Sequence, residues 1–234
     1  MTASWRRVAV IGASGGIGAA LCEALETRGS EVVRYARGAG DDGLRLDLEE
    51  EDSIARCAAA AGGEGAFDLV LVASGILSAG SGGPERDWRA LDPARLARIF
   101  AVNATGPALV AKHFLPLLPR RGRAGFAALS ARVGSISDNR LGGWYGYRAS
   151  KAALNMMVRS LAVELGRKRP DAFAVALHPG TVRTALSEPF LGPAGARDVF
   201  TPRESADHLL GVLDGLTPTH TGRLFAWDGS EIAP

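Results

Sequence analysis

Tyr147 and Lys151 stand one helical turn apart in the run Tyr147-Arg-Ala-Ser-Lys151. At that spacing both side chains share one face of a helix. A free phenol has a pKa of about 10 and is a poor acid–base near neutral pH. A neighbouring ammonium favours the phenolate and lowers that value. A tyrosine tuned in this way can protonate a carbonyl oxygen while a hydride arrives at the carbon, or take the proton back in reverse. An isolated Tyr-x-x-x-Lys is ordinarily an aromatic core residue and a solvated lysine, so the surrounding elements decide the matter.

A second group of residues suits a phosphate. Gly12-Ala-Ser-Gly-Gly-Ile-Gly18 follows the apolar run Val8 to Ile11 and leads into a helical stretch. The spacing Gly-x-x-x-Gly-x-Gly differs from Gly-x-Gly-x-x-Gly, but the physics is shared. Small residues let the main chain approach a pyrophosphate, whose charge faces the positive end of the helix. A plain glycine-rich turn is the alternative. After the second apolar run a carboxylate would bind both ribose hydroxyls and repel a 2′-phosphate; the chain has Tyr35-Ala36-Arg37 there. Arg37 can pair with a 2′-phosphate, which favours NADP(H) over NAD(H). Asp47 ends the third apolar run, near where an adenine would lie, or serves as a cap.

The elements that must position these groups alternate along the whole chain. Apolar strands are expected at 8–11, 31–35, 44–48, 68–73, 126–129, 173–177 and 223–226. Amphipathic helices are expected between them. Arg28-Gly29 stops the first helix. Asp92-Pro93 caps another, which runs to Leu118 with a kink at Gly106-Pro107. Leu154, Val158, Leu161 and Leu165 form an apolar stripe on a helix from Tyr147 to Arg167. The alternation predicts one α/β domain over 1–234: a Rossmann-like, doubly wound parallel sheet of about seven strands with helices on both faces. Ligands on such sheets bind beyond the carboxyl ends of the strands.

Composition narrows the function classes. The 234 residues are 47% apolar, enough for a sizeable core, and carry 27 Lys+Arg against 25 Asp+Glu. A net charge of +2 argues against a nucleic-acid partner recognised through bulk charge. The basic run Arg120-Arg-Gly-Arg123 is most simply a solvated turn. No apolar run approaches the ~20 residues of a membrane span, and the start of the chain does not resemble a signal peptide. Cys22 and Cys57 form no metal or disulfide pattern, so the cytoplasm is expected. His113, His178, His208 and His220 are scattered, with no acidic or thiol partner at ligand spacing, and no metal site is expected.

Five separated motifs occur in order: Gly12-x-x-x-Gly16-x-Gly18, Asp47, Asn103 within Val102-Asn103-Ala104, Tyr147-x-x-x-Lys151, and Pro179-Gly180-x-x-x-Thr184. Over almost its whole length the chain resembles a short-chain dehydrogenase/reductase. Arg132-Val-Gly-Ser-Ile136, Gly142-Gly-Trp-Tyr-Gly-Tyr147 and Trp227-Asp-Gly229 resemble the C-factor-like carbonyl reductase branch. The resemblance implies that Tyr147 is the general acid/base and that Lys151 holds the cofactor ribose and depresses the tyrosine pKa. It implies that Asn103, through its main chain, holds a water linking Lys151 to solvent. The cofactor would lie on Gly12, Ser14, Gly15, Gly16, Ile17 and Gly18, then Arg37, Asp47 and Leu48, then Ala73, Ser74 and Gly75. Tyr147, Lys151, Pro179, Gly180, Val182 and Thr184 complete that set. Leu186 to Val199 would be a mobile substrate lid. The substrate would be a small-molecule aldehyde or ketone, or the matching alcohol. Relatives are often tetramers that pack the Tyr-Lys helix against its copy, which implies a homodimer or homotetramer, whereas some carbonyl reductases are monomers, and the apolar content does not decide between them.

The chain departs from the family twice. The serine that usually holds the substrate carbonyl is replaced by Ala131; Ser135 is the expected stand-in, with Ser130 as the other candidate. After strand four the family has Asn-Asn-Ala-Gly and this chain has Val72-Ala-Ser-Gly75, which removes amides that brace neighbouring strands. The missing serine also permits a different class of function, a nucleotide-binding regulator or C-factor-like signalling protein with weak or no turnover.

Overall fold

The structure is a computed structural model and describes residues 5–38, 44–80, 83–191 and 199–234. In chain order the elements are β1 (Arg7–Ile11), α1 (Gly16–Thr27), β2 (Glu31–Tyr35), α2 (Glu51–Gly62), β3 (Leu69–Val72), α3 (Pro93–Phe100), α4 (Gly106–Phe114) and β4 (Ala124–Leu129). They continue with α5 (Tyr145–Lys168), β5 (Ala172–His178), β6 (Thr181–Val182), β7 (Val199–Phe200), α6 (Pro202–Gly215), β8 (Leu224–Ala226) and β9 (Glu231–Ile232). The main sheet has seven strands in the order β2-β1-β3-β4-β5-β8-β9. All pair in parallel except β8 with β9. β2 lies to one side of β1 and β3 to the other, so the strand order reverses between β1 and β3 and opens a crevice beyond their carboxyl ends.

Period-two alternation divides the core. Val8 and Val10 face α1 and α6 in one apolar cluster, whereas Ala9 and Ile11 face the other side with residues of α2, α4 and α5. β1, β3 and most of β5 are buried on both faces, as expected for a parallel sheet covered by helices. The stripe of α5 buries Leu154, Val158, Ala162 and Leu165, with Leu161 partly buried against the same cluster.

The structure corrects three expectations. The run 44–48 is not a strand: a single bridge, Ala36 with Arg45, is its only ladder contact among the described residues. Leu46 and Leu48 are still buried, so the alternation reflects packing under the sheet edge without a partner strand. The seventh strand is instead β9, which turns back on β8. The helix expected from Asp92 to Leu118 is interrupted by a π-helical turn over Ala101–Thr105, directly before Gly106-Pro107, and its regular part ends at Phe114. Of the expected lid, 192–198 lies outside the described residues, and its stem is the small parallel pair β6 and β7.

Candidate active site

The chain leaves β1 through Gly12, whose φ of +88° favours glycine and whose N–H donates to Tyr35 O at 2.9 Å. A Cβ on Gly12 would collide with Ser74 Oγ, and one on Gly18 with Gly12 O. The first turn of α1 therefore packs directly on the bend. A cleft of about 430 Å³ opens there, lined by Gly12, Ser14, Gly15, Arg37, Asp47, Leu48, Ala73, Ser74 and Gly75. Arg98 also lines it and pairs with Glu49 at 3.4 Å. A second cleft of about 210 Å³ shares Gly15, Ala73, Ser74 and Gly75 with the first. It continues over Gly16, Ile17, Ser130, Tyr147, Lys151, Pro179, Thr184 and Leu186. Two other hollows, of about 520 and 700 Å³, touch neither the glycine bend nor Tyr147.

The adjoining clefts fit a dinucleotide. The glycines remove the side chains that would fill the cradle, a helix N-terminus faces it, and a cation stands at the far end. Gly75 shows how close the walls are: a Cβ there would lie 3.3 Å from both Asn103 Oδ1 and Lys151 Nζ. Three of the expected cofactor residues line neither cleft. Gly18 is packing for the bend. Gly180, with φ +79°, makes room for the Phe200 ring, 2.7 Å from where its Cβ would be. Val182 is buried, and its carbonyl accepts the Ser187 hydroxyl.

Lys151 lies on the buried side of α5, 3% exposed, and donates from Nζ to Leu129 O at 2.7 Å. The same nitrogen is 5.8 Å from the centre of the Tyr147 ring. Burial disfavours both charged forms: it pushes the Lys151 ammonium down to about 8 and the Tyr147 phenol up to about 12. The phenol of the cofactor-free protein is thus raised, where the lysine alone was expected to lower it. Desolvation outweighs the attraction of an ammonium that is itself costly to keep charged.

Asn103 sits in the π-helical turn and is fully buried. Its Oδ1 accepts from Ile76 N at 2.8 Å, and its Nδ2 donates to Ile76 O at 2.8 Å and to Ser150 Oγ at 3.0 Å. Ser150 Oγ donates in turn to Tyr147 O at 2.9 Å. The side chain therefore ties the segment after β3 to α5. This amide supplies a brace in the region where Val72-Ala-Ser-Gly75 lacks asparagines.

Of the two serine candidates, Ser130 lines the cleft with the phenol and Ser135 does not. Ser135 lies in a separate hollow with Ile136, Asn139 and Ala152, where its hydroxyl accepts from Asp138 N at 3.2 Å. A short 3-10 turn over Arg132–Gly134 carries it away from the cleft. Ser130 borders the cleft, but its hydroxyl donates to Asn155 Oδ1 at 2.7 Å, and Asn155 faces the outer hollow on α5. Three contributors were given no role by the sequence, although Trp144 lies within the quoted run Gly142-Gly-Trp-Tyr-Gly-Tyr147. Buried Glu85 accepts from Gly146 N at 3.1 Å; Trp144 packs on Tyr147; buried Ser205 donates to Pro179 O at 2.9 Å and fixes the Pro179-Gly180 turn. Among the described residues no His, Cys, Asp and Glu cluster could hold a metal, and no helix is long and apolar enough to cross a membrane.

Comparison with known proteins agrees with this geometry. The short chain dehydrogenase family model matches residues 6–191. C-signal of Myxococcus xanthus is 42% identical over 150 residues, 62% of this chain and 84% of that protein. A 1-hydroxy-2-glutathionyl-2-methyl-3-butene dehydrogenase of Rhodococcus is 31% identical over 235 residues, 96% of this chain and 98% of that one. The NADPH-bound carbonyl reductase from chicken fatty liver superposes with a TM-score of 0.83 at 25% identity, covering 98% of this chain and 99% of its own. An NADP-bound short-chain dehydrogenase/reductase from Burkholderia multivorans superposes with a TM-score of 0.78 at 27% identity, over 98% of this chain and all of that one. A bend without side chains, a buried lysine beside a tyrosine on one helix and a match over 6–191 place this chain in the short-chain dehydrogenase family of oxidoreductases.

Proposed function

We propose that the chain interconverts a small-molecule carbonyl and its alcohol with NADP(H). The observation that carries this is the second cleft, where Tyr147 and Lys151 line the same wall as Gly15, Gly16 and Thr184. The nicotinamide, when bound, supplies or accepts the hydride. Gly12, Ser14, Gly15, Gly16 and Ile17 would hold the pyrophosphate at the start of α1, and Arg37 would pair with the 2′-phosphate. Thr184 and the turn fixed by Ser205 hold the carboxamide end. Tyr147 gives its proton to the carbonyl oxygen as the carbon is reduced, or receives it on alcohol oxidation. Lys151 stabilises the phenolate that this transfer leaves and also holds the ribose. With Ala131 in place of a serine, one polarising donor is missing, which lowers turnover on the order of a hundredfold relative to a complete site.

The likeness to C-signal favours a second reading, a nucleotide-binding signalling protein with weak turnover. NADPH consumption against diketones, quinones and aldehydes separates the two. Turnover on any of them supports the enzyme. Tight NADPH binding with no turnover on the panel supports the signalling protein.

A further inference from the structure

Among the described residues Trp144 is the one non-glycine residue with a left-handed main chain, at φ 51° and ψ 42°. That conformation is strained for any residue with a Cβ, and a position that tolerates it points to a use for the side chain. Trp144 follows Gly142 and Gly143, at φ 62° and 63°, and directly precedes α5. Glycine would make this bend without strain, so the bend alone does not explain tryptophan.

The surroundings hold the residue firmly. Trp144 N donates to Glu85 O at 2.5 Å, and the Glu85 carboxylate accepts from Gly146 N at 3.1 Å. Glu85 is 6% exposed. A Cβ on Gly146 would lie 3.0 Å from Glu85 Oε1, so glycine there lets the helix start close on the carboxylate. Arg148 Nε donates to the carbonyls of Gly142 and Gly143 at 3.2 and 3.1 Å. The indole meets Tyr147 edge-on at 6.2 Å and Phe190 at 5.6 Å. Leu186, 43% exposed, lines the cleft with Tyr147, and Phe190, 42% exposed, packs on the indole, so the apolar surface runs from the cleft through Trp144. The charged pair of this segment, Arg183 with Glu188, is closed on itself at 3.2 Å.

We propose that Trp144 is a specificity-determining residue that favours a flat, apolar group next to the reacting carbon, and that Glu85 is the residue that positions it. This rests on the carbonyl–alcohol reading above. An aromatic group on the substrate would bury area against the indole and Phe190 and add favourable ring contacts.

The test compares 4-nitrobenzaldehyde with 2,3-butanedione, each with NADPH. Trp144→Gly suits the main chain and is expected to fold; it lowers kcat/KM for the aromatic aldehyde by ~10-fold or more, mainly through KM. The loss on butanedione is several-fold smaller, so the aromatic-to-aliphatic ratio of kcat/KM falls, and Trp144→Phe recovers most of that ratio. Glu85→Ala lowers the same preference, and Glu85→Gln restores it in part. Equal losses on both substrates, or an unchanged ratio, overturn the proposal. If the wild-type chain reduces neither these two nor any other diketone, quinone or aldehyde of the panel, the carbonyl reading itself fails. The wall is then read by calorimetry of 4-nitrobenzyl alcohol on NADP⁺-loaded protein. Binding weakened by ~10-fold in Trp144→Gly supports the aromatic surface, and equal binding or none overturns it.

Discussion

Lys151 and Leu129 are joined by a hydrogen bond of 2.7 Å, from the buried ammonium to the last carbonyl of β4. It fixes the lysine against the sheet edge at the mouth of the cleft.

Burial holds the Lys151 ammonium down to about 8, and this carries a pH dependence. Between about 8 and the usual lysine value the unfolded chain binds a proton that the native chain does not. Stability therefore rises with pH across that window, and the cost of the buried charge is fully present below it. Lys151→Met should raise stability at pH 7 by about 1–3 kcal/mol in urea unfolding while abolishing turnover. Carbonyl reduction by the wild-type chain should fall as pH rises through about 8, as the ammonium is lost. A rate flat to pH 10 would contradict this.

Asn103 satisfies both main-chain polar groups of Ile76 and also reaches Ser150. Asn103→Ala leaves these buried groups unpaired and should cost about 2–4 kcal/mol in urea unfolding. Asn103→Asp keeps the acceptor for Ile76 N and loses both donated bonds, so an intermediate loss is expected. A loss under about 0.5 kcal/mol for the alanine variant would remove this residue from the account.

How much of this was legible in the sequence follows from the kind of contact involved. Gly12 and Gly18 were legible because main chain touching main chain excludes every Cβ, and that requirement shows in residue type. The parallel strands were legible because burial on both faces leaves continuous apolar runs. The run 44–48 misled because alternation records burial, not a partner strand. β6, β7 and β9 have two residues each, too short to carry a period. Ser135 misled because spacing along the chain cannot show which way the turn at Arg132–Gly134 aims. Glu85 accepts from the N–H groups of Trp144 and Gly146, the second 61 positions away, which leaves no local pattern.

Arg37 lines the wider cleft on the side reached from β2. Arg37→Ala should weaken NADPH binding by ~10–100-fold and leave NADH binding within about threefold, read by calorimetry with both cofactors. Equal effects on the two would contradict a 2′-phosphate contact.

His178 ends β5, and its Nδ1 is buried without a partner. Burial, helped by the nearby Arg132 charge, holds its imidazole down to about 4. As pH falls from the usual histidine range toward 4, the unfolded chain takes up a proton that the native chain refuses. Stability is therefore lost on acidification, by up to about 3 kcal/mol. His178→Gln should flatten the fall in Tm between pH 6.5 and 4; an unchanged slope would assign the acid sensitivity elsewhere.

The most direct measurement is Tyr147→Phe, assayed for NADPH-dependent reduction of whichever carbonyl the wild-type chain turns over, with NADPH affinity measured in parallel. The variant keeps the ring beside Lys151 and Trp144 and removes only the proton donor. Turnover lower by at least ~10³-fold with affinity within about threefold is the expected result. A Tyr147→Phe chain that reduces the substrate at the wild-type rate would contradict the account.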